Sequence, residues 1–369
     1  MASPTPDIRT TPQRHDNPKH AEPIPPLQDP WYTAPHGFEG QKPGTVLRLR
    51  EAPGNITSLV TNCSAAYNIL YRTTNSRYQP DWAVTTVFIP NTKAPALLSF
   101  QIPYDSAFLD ASPSYSLYSP DSELYYTEIS TGLASGWFIN IPDYEGPLAS
   151  FTAGVQSGHA TIDSIRAVLS SHKKLGLAKD ARYAMWGFSG GALASEWAAE
   201  LQVQYAPEMN FSGAALGGPY NATGFLAALN YTSGQASTTY SLQDIGDYFV
   251  GGISDLSNPL IERIMEIEGI MGYHGVPQLP LFVYKAIEDE VSVINDTDAL
   301  VAEYCSIGAN ILYQRQTIGG HVASYINGRP AALAWLNSVM GGTYAQDYST
   351  TGCTTETVSV NITDIPYKL

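Results

Sequence analysis

Apolar positions along this chain recur at two spacings. The runs "GTVLRLR" (44–50), "AYNILYRTT" (66–74), "DWAVTTVFIP" (81–90), "APALLSFQIPY" (94–104) and "GWFINIPDYEG" (136–146) are rich in β-branched and aromatic residues and bounded by turn residues, so each predicts a strand. The spacing changes in "HATIDSIRAVLSSHKKLGL" (159–177), where Ile162, Ile165, Val168 and Leu169 share one helical face. "RYAMW" (182–186) then reads as a strand, "ALASEWAAELQ" (192–202) as a helix and "FSGAALGGP" (211–219) as a short buried strand. Near the C-terminus, "LPLFVYKA" (279–286) predicts a strand and "DTDALVAEYCSIGA" (296–309) a helix. "NILYQRQT" (310–317) predicts the last strand, and "RPAALAWLNSVMGG" (329–342) a closing helix with Pro330 in its first turn.

Strands alternating with helices imply an α/β fold with a mostly parallel central sheet and helices on both faces. The alternation lapses over 219–277, which is helical in pattern with small and aromatic residues and no clear strand. That block predicts a helical cap insertion between two core segments, 29–218 and 278–369. Residues 1–28 are Pro-rich, polar and aperiodic, and predict a flexible or surface-wrapping arm.

Composition narrows the function classes. The 369 residues are 44% hydrophobic and 14% charged, enough for a large core. A formal net charge of −15 without a Lys/Arg cluster argues against nucleic-acid binding and against anionic membranes. No apolar run approaches the ~18 residues of a membrane span. Cys63, Cys305 and Cys353 allow one bridge, and Cys305 with Cys353 is the expected pair because both lie in the last quarter. The sequence holds no Cys-X-X-Cys or His-X-X-X-His pattern, so no structural metal is expected; a cofactor is not expected either. Sequons at Asn55, Asn62, Asn210, Asn221, Asn230, Asn295 and Asn361 suggest secretory ancestry, although "MASPTPDIRTTPQRHDNPKH" has no apolar signal-peptide core. Secretion is the expected localisation, and a cytoplasmic biosynthetic enzyme is the alternative.

One pentapeptide carries chemistry. Gly187-Phe188-Ser189-Gly190-Gly191 fits Gly-X-Ser-X-Gly between a strand and a helix, the nucleophile elbow. A turn that tight excludes side chains beside the serine. It lifts Oγ above the sheet at a helix N-terminus, where the next backbone N–H can stabilise an oxyanion. Such a serine needs a base, the base needs an orienting acid, and the expected chain order is Ser, acid, His. Of seven histidines only His321, in "TIGGHVASY", follows the last predicted strand; His274 precedes the 279–286 strand. The acid belongs in "AIEDEVSV" (286–293), where Glu288, Asp289 and Glu290 are consecutive. Asp289 is the first choice and Glu290 the second, while Asp296 and Asp298 read as helix N-terminal acids.

These residues, with "DPWYTAPHGFEGQKPGTVLRLR", "YDS", "IPDYEGP", "YAPEMNFSGAALGGP", "YKAIEDEVSV", "YCSIGANI" and "GGHVASY", resemble the fungal secretory lipase family, the Candida antarctica lipase A-like α/β-hydrolases. The resemblance covers nearly all of the chain after residue 28. It implies the α/β-hydrolase fold and a triad of Ser189, Asp289 and His321. It also implies an oxyanion hole of two backbone amides, Gly190 and Asp105, with the Asp105 side chain fixing its own loop. The implied activity is carboxylic ester hydrolysis through an acyl-enzyme on a small-molecule or lipid ester. Transient contact with a lipid interface is expected, and stable membrane insertion is not. Deacetylation of a secondary metabolite, as by the related trichothecene esterases, and acyl transfer with the same triad are the alternatives. A catalytically silent binding protein would be expected to lose the Ser, acid, His order.

Overall fold

The computed structural model describes residues 22–218, 232–240, 243–248 and 250–362. Ten strands form one sheet: β1 (Val46–Glu51), β2 (Cys63–Thr74), β3 (Pro80–Pro90), β4 (Ala96–Gln101), β5 (Phe138–Pro142), β6 (Arg182–Phe188), β7 (Ala214–Gly217), β8 (Leu281–Ala286), β9 (Ile311–Gln316) and β10 (Cys353–Val358). Their order is β1-β2-β3-β5-β4-β6-β7-β8-β9-β10. The first three strands and the β3–β5 pair are antiparallel; from β5 to β10 every pairing is parallel.

Successive residues of a strand point to opposite faces, and the core divides accordingly. Leu97, Met185, Leu216 and Val283 face one apolar cluster, which includes residues of helices α2 (Gly154–Ser170), α3 (Gly190–Tyr205) and α5 (Ile294–Ile307). Their neighbours Leu98, Trp186, Ala215 and Phe282 face the other, built with α1 (Glu123–Ala134) and α6 (His321–Gly341). Covering on both faces leaves all of β4, β5 and β8 buried, which is why those strands read as continuous apolar runs. Truncating a fully buried side chain such as Trp335 or Phe282 would cost about 3–5 kcal/mol.

Three expectations need correction. The last strand is β10, not β9; its sequence, "CTTETV", is exposed along most of its length and shows no apolar alternation. The closing helix begins at His321, so Pro330 lies inside it and not in its first turn. "HVASYING" has the small and polar residues of a loop and hides that start. Helix α2 begins at Gly154, five residues before the expected start, and α1 has no counterpart in the sequence reading.

The expected Cys305–Cys353 disulfide joins α5 to β10, leaving Cys63 as a half-buried thiol. Of the predicted insertion, the described part holds a helix at Ser233–Tyr240, 3₁₀ turns at Ile245–Tyr248 and Gly252–Ser257, and α4 (Pro259–Gly269). Residues 219–231, 241, 242 and 249 lie outside the described residues, as do 1–21 of the predicted arm. Arm residues 22–28 run along the core: Pro26 is buried and the Leu27 amide donates to Asp110 Oδ1 at 2.9 Å.

Candidate active site

Strand β6 ends at Phe188 and α3 begins at Gly190, leaving Ser189 as the single residue of the turn. Its φ of +54° lies in the left-handed region, a strained setting for a residue with a side chain. The small neighbours follow from space. A Cβ on Gly187 would come within 2.0 Å of the Gly191 carbonyl oxygen, and one on Gly191 within 1.9 Å of the Gln101 carbonyl oxygen. The Ser189 amide donates to the Gly217 carbonyl at 2.8 Å, which ties the turn to the end of β7.

Three residues distant in sequence meet above this turn. His321 Nε2 lies 2.9 Å from Ser189 Oγ. On its other side, Nδ1 lies 2.9 Å from Asp289 Oδ2 and 3.0 Å from Oδ1. An ionised carboxylate only accepts, so the proton belongs on Nδ1, and Nε2 is left to accept from the serine hydroxyl. All three residues are buried. Their backbones sit where β6, β8 and β9 end or the next element begins, at the carboxyl edge of the parallel sheet.

Asp289 is held ionised. Burial alone would raise its pKa, but hydrogen bonds from His321 and the Ser292 amide, with the charge of Lys285, outweigh burial and set it at about 2. The Ser292 amide donates to Oδ1 at 2.8 Å and the Val291 amide at 3.0 Å.

Asp105 follows β4 with a φ of +42°, also left-handed. Its Oδ1 packs so closely over Gly190 that a Cβ there would approach it to 1.8 Å. The two residues implied as oxyanion donors therefore lie against one another, although 85 positions separate them.

The secretory lipase family profile matches residues 121–233 and 227–347. The chain belongs to the secretory lipase family. It is 46% identical to trichothecene C-3 esterase of Fusarium sporotrichioides, over 93% of this chain and 90% of that protein. It is 35% identical to lipase A of Arthroderma benhamiae, over 92% and 84%. Among solved structures, Candida antarctica lipase A superposes with a TM-score of 0.82 at 26% identity, over 93% of this chain and 91% of that one. The chain thus has the α/β-hydrolase fold and is a carboxylic ester hydrolase. Among the described residues, no helix is long and apolar enough to cross a membrane.

Lys285, Asp143 and Glu145, none of them singled out in the sequence, also surround the site, as does Glu290. Lys285 is fully buried on β8, its Nζ 3.3 Å from Asp289 Oδ2 and also bonded to Ser292 Oγ. Burial pulls its pKa below the usual lysine range, and the charge of Asp289 opposes that pull. Glu290, the second choice for the acid, instead accepts the His321 backbone N–H at 2.8 Å. A Cβ on Gly320 would meet that carboxylate at 2.0 Å, which accounts for one glycine of "GGH". Beneath the Asp105 loop, Asp143 and Glu145 are both buried. Burial pushes Asp143 up to about 7; burial, then the neighbouring Asp105 charge, raises Glu145 as well. An alternating acidic and aromatic stretch, "PDYEG", was the only trace of this cluster in the sequence.

Proposed function

We propose that this ester hydrolase works through Ser189 as nucleophile, His321 as general base and acid, and Asp289 as the residue orienting it. The observation that carries the reading is the continuous chain of contacts from Asp289 through both imidazole nitrogens to Ser189 Oγ, none longer than 3.0 Å. In the first half-reaction Oγ attacks the ester carbonyl as His321 Nε2 takes its proton. The carbonyl oxygen becomes an oxyanion facing the amides of Gly190 and Asp105. When the tetrahedral adduct collapses, the C–O bond to the alcohol breaks and His321 returns the proton to the departing alkoxide. Water, deprotonated by His321, then attacks the acyl-enzyme and releases the carboxylic acid. The imidazolium formed in each half-reaction is stabilised by the Asp289 carboxylate.

Purified wild type and Ser189→Ala, compared on p-nitrophenyl acetate and butyrate, test the assignment. Loss of turnover in the folded variant is expected, and undiminished turnover removes Ser189 from the mechanism.

A narrower reading, deacetylation of an oxygenated secondary metabolite, is supported by the 46% relative, which is named a trichothecene esterase, whereas the Arthroderma lipase stands at 35%. An acyl-length series separates the two: activity confined to short acyl chains supports deacetylation, and activity rising with chain length supports a lipase. The block 219–277 would serve as the cap over either substrate. Secretion is supported by the family and by the sequons, since Asn55, Asn62, Asn210, Asn295 and Asn361 are all exposed. A mass shift on endoglycosidase treatment of the protein secreted by a fungal host is the expected result.

A further inference from the structure

A cavity of about 630 Å³ opens beside the oxyanion loop, and we infer that it is the alcohol subsite, shaped for a rigid, uncharged, oxygen-bearing ring system. This rests on the ester-hydrolase site proposed above and adds the class of leaving group. The volume falls within the ~300–1,000 Å³ typical of small-molecule sites. Ile102, Pro103 and Tyr104 line its inner end, and the chain runs directly from them into Asp105. The cavity therefore lies at the carboxyl end of β4, along the edge where the parallel strands of such sheets meet ligands. Ser189 does not line it. On this inference its occupant is the part of the ester remote from the scissile bond, and remote contacts of this kind can raise kcat as well as affinity.

The chemistry of the walls selects the occupant. Phe108, Tyr115, Tyr118 and Tyr125 present aromatic surface, and the other apolar lining is mostly rigid proline, with Ile102 and Ala111 the open-chain aliphatic side chains among the described lining residues. Flat, stiff walls match a fused ring better than a flexible acyl chain, which would forfeit conformational entropy there. The walls are held in place. Tyr118 Oη donates to the Pro53 carbonyl at 2.5 Å and Tyr125 Oη to the Pro103 carbonyl at 3.3 Å, while Tyr104 Oη accepts the Glu145 N–H at 2.9 Å. Asp110 and Asp121 also line the cavity, which gives hydroxyl groups of a ligand acceptors to bond. No lysine or arginine is among the described lining residues, and two carboxylates repel an anion, so phosphorylated or carboxylated alcohols are disfavoured. On one side the arm contributes Pro23 and Pro25, held near Asp110 by the Leu27 amide.

The test pairs two acetates, p-nitrophenyl acetate with a small leaving group and androsterone acetate with a rigid tetracyclic one, and adds p-nitrophenyl decanoate for its long acyl chain. Ser116→Trp puts an indole into the cavity; Tyr115→Ala removes one wall. Both variants are expected to lose on the order of tenfold or more in kcat/KM on androsterone acetate and to stay within about twofold of wild type on p-nitrophenyl acetate. Free androsterone should inhibit p-nitrophenyl acetate hydrolysis competitively in wild type and more weakly in both variants. Three results overturn the subsite: wild type that neither cleaves androsterone acetate nor binds androsterone, variants that change all esters equally, or a loss confined to the decanoate, which would make the cavity an acyl site. Each outcome is read beside Ser189→Ala on p-nitrophenyl acetate, whose retained activity would instead refute the catalytic assignment.

Discussion

Gly190→Ala isolates the oxyanion arrangement from the rest of the site. The added methyl would sit 1.8 Å from Asp105 Oδ1, roughly half of an ordinary van der Waals separation, so the Asp105 loop and the first turn of α3 must part. The same methyl therefore disturbs both amides proposed to hold the oxyanion, while the three nearest atoms it meets all belong to Asp105 and none to Asp289 or His321. Loss of one well-aimed donor costs about 2.7–4 kcal/mol in the transition state. That converts to a fall in kcat of roughly 10²–10³-fold. KM should move little, since the ground-state carbonyl depends on these donors less than the tetrahedral adduct does. The assay is steady-state hydrolysis of p-nitrophenyl butyrate, with active sites counted by fluorophosphonate labelling and folding checked by thermal melting. Gly341→Ala is the control, because a Cβ there meets nothing within 4 Å. A kcat for Gly190→Ala within about threefold of wild type, with the protein folded, would mean that these amides do not carry the developing charge.

Asp289→Asn should keep the fold and reduce kcat by about 10⁴-fold, because the amide favours the wrong imidazole tautomer; steady-state kinetics on the same ester reads this out. Glu196→Gln should stabilise the protein increasingly as pH rises. Glu196 and Glu200 are both buried on α3, and the Tyr304 hydroxyl, which donates to Glu196 Oε1, also lies 3.2 Å from Glu200 Oε2. Burial first, and then the neighbouring carboxylate, raises the pKa of Glu196. A raised carboxyl supplies stability below the unfolded-state value and loses it as pH climbs through the folded-state value. The gain in Tm should therefore be small at pH 4 and roughly 2 °C or more at pH 8, measured by calorimetry. Cys353→Ser opens a loop of 48 residues and should cost up to about 4 kcal/mol in urea unfolding.

The elbow was legible because its demands are local: a strand, a helix and no room for side chains between them. His321 was legible from chain order alone. Asp105 was not, because its signals are a left-handed backbone and a carboxylate resting on a residue 85 positions away; only the family resemblance pointed to it. Lys285 read as one polar residue in a strand, and nothing local announces that it sits beside the Asp289 carboxylate. The pattern over 192–202 predicts a helix without separating Glu196 and Glu200 from its other residues, because α3 is buried along nearly its whole length and carries little amphipathic contrast. The start of α6 and strand β10 escaped for the opposite reason. Their residues look like loop, and pairing with β9 and packing on the sheet make them regular.

Strand β10 lies at the margin of the sheet, yet its neighbour β9 leads straight into the "GGH" segment that delivers the imidazole. Each of its six residues is matched to one of β9, from Cys353 beside Ile311 to Val358 beside Gln316. Trimming the tail upstream of residue 353 would strip β9 of that partner and expose it as a bare border. A fusion tag is better appended beyond 358 than substituted for the terminal segment, and shortened versions should be assayed for turnover as well as for yield.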